Sequence, residues 1–410
     1  MSRSARRAAA PDPLRAAVEA FRADLPLKAP SARGLAAIIE NPGCTARRVL
    51  DVAAVDKAAL AARLGAPVPE QQSIFAIQRG NRFEADVKAD GYGVLIALLR
   101  QAGFASDPPR VLPLRELYPI DPRDPDAALR RRAAETRSAI LAMARAAAGA
   151  YNLIDGGALR WDYGGAVARL ETDGIAWRLG GRIRVIEIKS FPIVDGRGDP
   201  EKLGAAAWQA AVYVAAIADL LADAGLDARL VSTEVLLVCP RNTSLTATIA
   251  ALDVARKVRA LRRLLAGRAS IADVLTRFGP GVSLDTTGLD DAQAAARLAH
   301  VLDLLGTNYL PSCLAACPLA RHCRARARAA GDPGCLGSDA RASLAGVRTL
   351  PRAVELAQGA PADPTEAEAG AALARARRLL DAAGLPPPAD IQHAAARAAA
   401  PPAPLPRRRA

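Results

Sequence analysis

An α/β fold, with a mixed central β-sheet flanked by helices, is what the sequence predicts, and three observations predict it. From Val167 to Phe191 apolar residues recur at every second position, the period of strands with one face buried. Asp199-Pro200 then opens a long helical stretch, and Arg229 to Cys239 returns to an apolar strand-like run. Strands, helix and strand inside helical flanks argue for an α/β sandwich around a mixed sheet.

Taken in order, residues 1–12 are Arg- and Ala-rich and are expected to be disordered. Gln71 to Leu99 reads as helix with an interruption at Gly91-Tyr92-Gly93, and Asp126 to Ala150 as a long Ala- and Arg-rich helix. Val167 to Thr172, Ile175 to Leu179 and Ile183 to Ile188 read as three strands of a meander, the last two joined at Gly180-Gly181, a hairpin signal. Asp199 is the expected N-cap and Pro200 the first residue of a helix reaching about Leu221. A helix near Asp253 to Ala266 follows the Arg229 to Cys239 strand. Residues 13–335 are thus expected to form one domain. Residues 336–410 read as a Pro/Ala/Arg-rich, partly disordered tail with one helix, Pro364 to Ala383.

Lys and Arg number 55 against 42 Asp and Glu, a formal charge of +13 over 410 residues. A basic balance points to polyanionic partners, and a 51% hydrophobic content excludes disorder throughout. The excess is +4 in residues 1–60, +3 in 61–320 and +6 in 321–410. The long middle is therefore almost balanced, and runs such as Arg407-Arg408-Arg409 are expected to be solvated ends. Charges or Gly interrupt each apolar run before the roughly 18 residues a membrane span needs. Leu14 to Phe21 contains Arg15 and Glu19, which is unlike a signal-peptide core. A cytoplasmic protein with no membrane partner is expected, and six Cys in that reducing setting are not a disulfide framework.

The chemistry concentrates in Glu187-Ile188-Lys189. On a strand, residues two apart share a face, so Glu187 and Lys189 project together while Ile188 enters the opposite side. Asp173, in Thr172-Asp173-Gly174, can be brought beside Glu187 by a meander. Two carboxylates suit a hard cation such as Mg²⁺ or Mn²⁺, which keeps several waters and takes substrate phosphate. A neighbouring lysine can orient or deprotonate a metal-bound water and offset charge developing on phosphate. Asp162, Glu171 and Asp155 are rival acids. Gln209 and Tyr213, four apart, share a face of the following helix. Upstream, Arg79-Gly80-Asn81-Arg82-Phe83-Glu84 places a Glu on a helix after a Gly.

This order of motifs, over residues 79–213, resembles the PD-(D/E)XK nuclease superfamily, in particular its RecB-like branch. The resemblance implies a restriction-endonuclease-like core and DNA phosphodiester hydrolysis. It implies that Asp173, Glu187 and the Ile188 carbonyl hold the metal and that Glu84 completes the site. Lys189 would be the catalytic lysine, and Gln209 and Tyr213 would support the site and the substrate strand. Two departures stand: Glu84 lies where the branch often has His, and Thr172, not Pro, precedes Asp173.

Cys313, Cys317 and Cys323 form C-x3-C-x5-C, three thiols in eleven residues of a Cys-poor chain. With isolated Cys44 they make four, the usual ligand number for a four-iron four-sulfur (4Fe-4S) cluster or for zinc. One Cys upstream of the nuclease motifs and three downstream resemble the iron–sulfur nucleases of the RecB-like branch, AddB-like subunits and CRISPR-adaptation nucleases among them. Those usually show C-x2-C-x5-C. The resemblance implies a 4Fe-4S cluster that pins the two ends of the nuclease domain together. Cys335 and His322 are alternative ligands, His322 being expected to be exposed, and Cys239 reads as a core thiol.

No Gly-x4-Gly-Lys-Ser/Thr run occurs, so a helicase or another nuclease-complex subunit would be a partner. Two other classes stay open: a non-cleaving DNA-binding accessory of a repair or defence complex, and a zinc-stapled structural protein. Aromatics make up 4% of residues, too few for an extended base-stacking platform, and Trp161, Trp177 and Trp208 read as core.

Overall fold

The computed structural model describes residues 13–68, 74–103, 109–121, 123–162, 167–179, 181–242, 244–266 and 282–384. The expectations for residues 1–12, Arg407 to Arg409 and the chain beyond 384 lie outside these. The chain forms two compact units. The larger takes in the chain up to Glu40, Arg47–Asp56 and the span up to Thr287; the smaller takes in Asn41–Ala46, Lys57–Val68 and the span from Gly288.

The helices up to Ala266, in chain order, are α1 (Pro13–Arg22), α2 (Ala32–Glu40), α3 (Thr45–Val52), α4 (Lys57–Arg63), α5 (Ile74–Gln101), α6 (Leu114–Leu117), α7 (Pro125–Ala144), α8 (Pro200–Asp223) and α9 (Ala255–Ala266). The strands are β1 (Val111–Pro113), β2 (Leu153–Asp155), β3 (Ala158–Asp162), β4 (Val167–Glu171), β5 (Gly174–Leu179), β6 (Arg182–Ile188), β7 (Ile193–Val194), β8 (Arg197–Gly198), β9 (Glu234–Pro240) and β10 (Ala247–Asp253).

Six strands of the larger unit form one mixed sheet in the order β1-β2-β5-β6-β9-β10. β1–β2 and β6–β9 are parallel, and the other three pairings are antiparallel. Ile154, Ile175, Ile183, Val185 and Val235 cluster with apolar residues of α2, α7, α8 and α9. Their neighbours Leu153, Ala176, Ile186, Leu236 and Val238 cluster instead with Phe83, Val87 and Leu95 of α5. The strand period has sorted one sequence onto two helical layers. A mixed sheet flanked by helices is the architecture the sequence predicts.

α8 begins where expected: the Asp199 side chain accepts from the backbone N–H groups of Glu201 and Lys202, and Pro200 occupies the first turn. The expectation about apolar runs needs correction. α8 is long and apolar enough to cross a membrane by length and composition, and most of that window is buried in the protein. An all-round apolar helix is what a core position selects.

Three local expectations change. Residues 167–191 do not form one meander, because β4 pairs with β3 in a separate two-stranded sheet while β5 and β6 join the central one. The chain crosses between the two sheets at Thr172-Asp173, where buried Thr172 is held by its backbone N–H and its hydroxyl to the Gly157 carbonyl. Strand β10 was not expected; its half-buried residues carry a weak alternation, and only pairing with β9 defines it. α7 ends at Ala144, short of Ala150, with Ala146 at φ 50°. Alanine propensity alone does not extend a helix past its packed face.

In the smaller unit α4 packs with helix Asp291–Leu305, and short helices follow at Cys313–Ala316 and Ala320–Ala329. Helices Ser338–Ser343, Leu350–Ala357 and Ala367–Ala382 stand where one helix was expected. Thr349 caps the second of them through the Arg352 N–H, and Val347, Ala353, Leu356 and Ala369 form a small core. The Ala- and Pro-rich composition concealed that cap, which is a local signal.

Candidate active site and candidate metal centre

Gly174 pairs with Ile186 across β5 and β6, so the next pair along that end of the sheet is Asp173 with Glu187. The Asp173 carboxylate is fixed there, Oδ2 accepting from the backbone N–H of Ile188 at 2.8 Å. Glu187 is 1% exposed. Lys189 forms an ion pair with Glu187 Oε1, and Glu187 Oε2 accepts no hydrogen bond among the described residues. Ile188 lies in the α5-side core, as the strand period requires.

From α8, Gln209 Oε1 accepts from Lys189 Nζ at 3.3 Å and Gln209 Nε2 donates to the Tyr213 hydroxyl at 2.9 Å. The Tyr213 hydroxyl in turn donates to the backbone carbonyl of Glu171. A chain of hydrogen bonds thus runs from the lysine through the helix to the residue two before Asp173. The α8 faces that bury Ala210, Ala211 and Val214 set this geometry, because Gln209 and Tyr213 sit one turn apart beside them.

Burial pushes Glu187 up to about 8, and the charge of Asp173 adds to it while Lys189 opposes. Burial also holds the Asp173 carboxyl above the ordinary carboxylate range. Burial works against a charged Lys189, but Glu187 and Asp173 outweigh it and keep the ammonium above its usual range. Two buried carboxylates beside one ammonium leave negative charge uncompensated, which is unfavourable unless a cation or a proton covers it.

Glu84 projects from α5, where Phe83 and Val87 anchor the helix in the core. Its Oε1 accepts from Lys88 Nζ at 2.6 Å and from Arg115 Nη1 at 2.7 Å. Burial disfavours its charge, but Lys88 and then Arg115 outweigh it and hold the carboxyl below its ordinary range. Glu84 is therefore near Asp173 and Glu187 yet engaged by two cations.

The rival acids separate. Glu171 turns its carboxylate to Arg132 at 3.1 Å, and Asp162 lies at the far end of the β3–β4 hairpin from Glu171. Asp155, the weakest rival on sequence, is buried at the end of β2, beside Gly174 in the register, and takes part more than expected. Its Oδ1 is 2.5 Å from Lys88 Nζ and its Oδ2 accepts from the Tyr92 hydroxyl at 3.1 Å. Tyr92 reaches it through a break in α5, where Asp90, Gly91 and Tyr92 all take positive φ, a strained conformation for the two residues that are not Gly. The Gly91-Tyr92-Gly93 interruption was the legible signal; its contact with Asp155 was not.

A cleft of about 410 Å³ between α1, α7 and the β3–β4 hairpin is bordered by Glu171 and by Arg22, Arg130, Arg160 and Arg169. On α9, exposed Arg256, Arg259 and Arg263 form a basic stripe, and Lys257 stacks over the Trp208 ring at 4.4 Å, next to Gln209. Trp161 and Trp177 are core residues, and the Trp161 indole donates to Asp219.

None of the six cysteines is in a disulfide. In the smaller unit Asn41 Nδ2 donates to Cys313 Sγ at 3.3 Å and to the Asn308 carbonyl at 2.7 Å, tying the turn that carries Cys44 to the segment before Cys313. Burial, followed by the charges of Cys317, Cys44 and Cys313, pushes the Cys323 thiol up to about 12, so the four thiols are electrostatic neighbours. Cys335 lies near Tyr309, as do Cys313 and Cys323. His322 is half-buried instead of exposed, its Nε2 lacking a hydrogen-bond partner among the described residues. Helix Ala320–Ala329 rolls it inward. Cys239 is fully buried in the larger unit, its thiol pushed up to about 12 by burial. His300 is exposed, and His393 lies outside the described residues. Among the described residues, no group of three or more His, Cys, Asp or Glu stands ready to hold a metal ion. Two carboxylates fall below that number and still suit Mg²⁺, whose remaining ligands are waters and phosphate. No family model, no curated protein and no solved structure matches the chain.

Proposed function

We propose that the protein is a divalent-metal-dependent deoxyribonuclease with a restriction-endonuclease-like core of the PD-(D/E)XK type. The observation that carries this reading is the convergence of Asp173, Glu187 and Lys189 at one end of the sheet, linked through Gln209 to Tyr213. Mg²⁺ or Mn²⁺ held by Asp173, Glu187 and the Ile188 carbonyl would supply Lewis-acid polarisation of the phosphate and a water of lowered pKa. The buried, donor-free Oε2 of Glu187 is the observation that fits a cation there. Asp173 is aimed by the Ile188 N–H, and Lys189, held by Gln209, presents a positive charge where the phosphodiester gains negative charge.

DNA as substrate is supported by the α9 stripe of Arg256, Arg259 and Arg263, which offers sequence-independent contacts to phosphates. A structural 4Fe-4S cluster on Cys44, Cys313, Cys317 and Cys323 belongs to the same proposal, supported by the placement of these four cysteines, none in a disulfide, in one unit. A helicase or other subunit of a repair or defence complex is the partner that the proposal allows.

Cleavage of labelled single- and double-stranded DNA with Mg²⁺, comparing the wild type with Lys189→Ala, tests it. Loss of a developing-charge contact lowers turnover about 10²- to 10³-fold. Equal cleavage by both proteins would sink the assignment, and DNA binding without any metal-dependent turnover would favour the accessory role.

A further inference from the structure

Four carboxylates crowd this end of the larger unit, and the structure treats them as two unequal pairs. Among the described residues, Lys189 is the one ammonium ion-paired with the carboxylates of Asp173 and Glu187, through Glu187, while Lys88 reaches Asp173 at its backbone carbonyl. Glu84 and Asp155 share Lys88, and Glu84 has Arg115 as well. The second pair is neutralised by side chains; the first is not.

Lys88 is the centre of the neutralised half. Its Nζ meets Glu84 Oε1 at 2.6 Å, Asp155 Oδ1 at 2.5 Å and the backbone carbonyl of Asp173 at 3.0 Å, with its side chain 10% exposed. Three oxygens from α5, from β2 and from the crossing between two sheets match the three donors of an ammonium. Oxygen ligands from separate elements around one buried positive charge are also what a hard divalent cation selects.

We propose that Lys88 is a built-in cation: its ammonium fills the place between Glu84, Asp155 and the Asp173 carbonyl that a second divalent ion would otherwise take, so the acidic site holds one such ion. The inference rests on the nuclease reading above and adds to it. Glu84 then serves the site through Lys88 instead of as a metal ligand. Lys88 is a positioning residue twice over, because its bond to the Asp173 carbonyl also fixes the backbone from which the Asp173 carboxylate reaches the Ile188 N–H. Arg115, ion-paired with Glu84 at 2.7 Å, adds a second positive charge to the same half.

The test counts Mn²⁺ ions by calorimetry and by electron paramagnetic resonance on the full chain, without DNA, and subtracts any site that survives Glu187→Gln with Asp173→Asn. The wild type is expected to bind one ion, Lys88→Arg one, and Lys88→Met two, the second lost again on adding Glu84→Gln. Lys88→Met is also expected to melt lower than the wild type in metal-free buffer and to regain that loss with Mg²⁺, since an ion that binds only the folded state raises its stability. A merely structural lysine would not exchange for a metal ion in this way. A wild type that binds two ions, or a folded Lys88→Met that still binds one, overturns the inference and leaves the nuclease reading intact. A wild type that binds none overturns both. If Lys88→Met folds only when Mg²⁺ is present, the inference is supported; if no divalent ion restores its fold, the inference fails.

Discussion

The carboxylate site of the larger unit stands on a strand, a strand end and two helices, whereas the cysteines of the smaller unit stand on a turn, a four-residue helix and the first turn of Ala320–Ala329. In the first, the chain supplies most partners itself: the Ile188 N–H for Asp173, Gln209 for Lys189, Lys88 and Arg115 for Glu84. In the second, four cysteines without a disulfide stand on segments too short to hold a geometry unaided. Rigid elements keep a site in shape before its ion arrives, and short segments take their shape from what they bind.

The comparison breaks first at Cys44. Under the proposed cluster, Cys44→Ala removes a ligand whose loss unfolds the smaller unit, since structural metal sites contribute on the order of 10 kcal/mol. The expected result is a colourless protein, cleaved by protease after Gly288 while the larger unit survives. A wild type that is colourless with stoichiometric zinc would replace the iron–sulfur reading by the zinc one.

The carboxylate site responds less, and to pH. Glu187 has its carboxyl raised to about 8 from an ordinary 4.5, so the folded protein holds a proton that the unfolded chain releases. The contribution of Glu187 to the stability of the metal-free protein is therefore full below about 4.5 and is lost as pH rises through about 8. Thermal melts across that window should show the decline, with Mg²⁺ flattening it and Glu187→Gln abolishing it. A flat profile in metal-free wild type would remove the electrostatic case for a cation at Asp173 and Glu187.

Smaller still is the effect of Tyr213→Phe. It removes the hydroxyl that joins Gln209 to the Glu171 carbonyl and leaves buried polar groups unpaired, about 1–3 kcal/mol. Under the proposed function, cleavage should fall roughly tenfold through kcat, with the Mn²⁺ count unchanged, because the proposed metal ligands are untouched. A change in KM alone would place Tyr213 on the substrate strand instead.

What the sequence determined by itself is local. The period of two in Ile183 to Ile188 set Glu187 and Lys189 on one face, the four-residue step did the same for Gln209 and Tyr213, and Asp199-Pro200 carried the start of α8 in its own side-chain hydrogen bonds. Tertiary structure decided the rest, because pairing across a fold has no signature in spacing. The crossing at Thr172-Asp173 between two sheets selected Asp173 over Glu171 as the acid facing Glu187, and pairing with β9 made β10 a strand. The same packing turned Glu84 toward Lys88 and Arg115 and brought in Asp155 and Tyr92, whose positions in the chain gave no reason to join them. Groups 85 residues apart, such as the Lys88 ammonium and the Asp173 backbone carbonyl, meet only after the sheet and its helices have closed over one core.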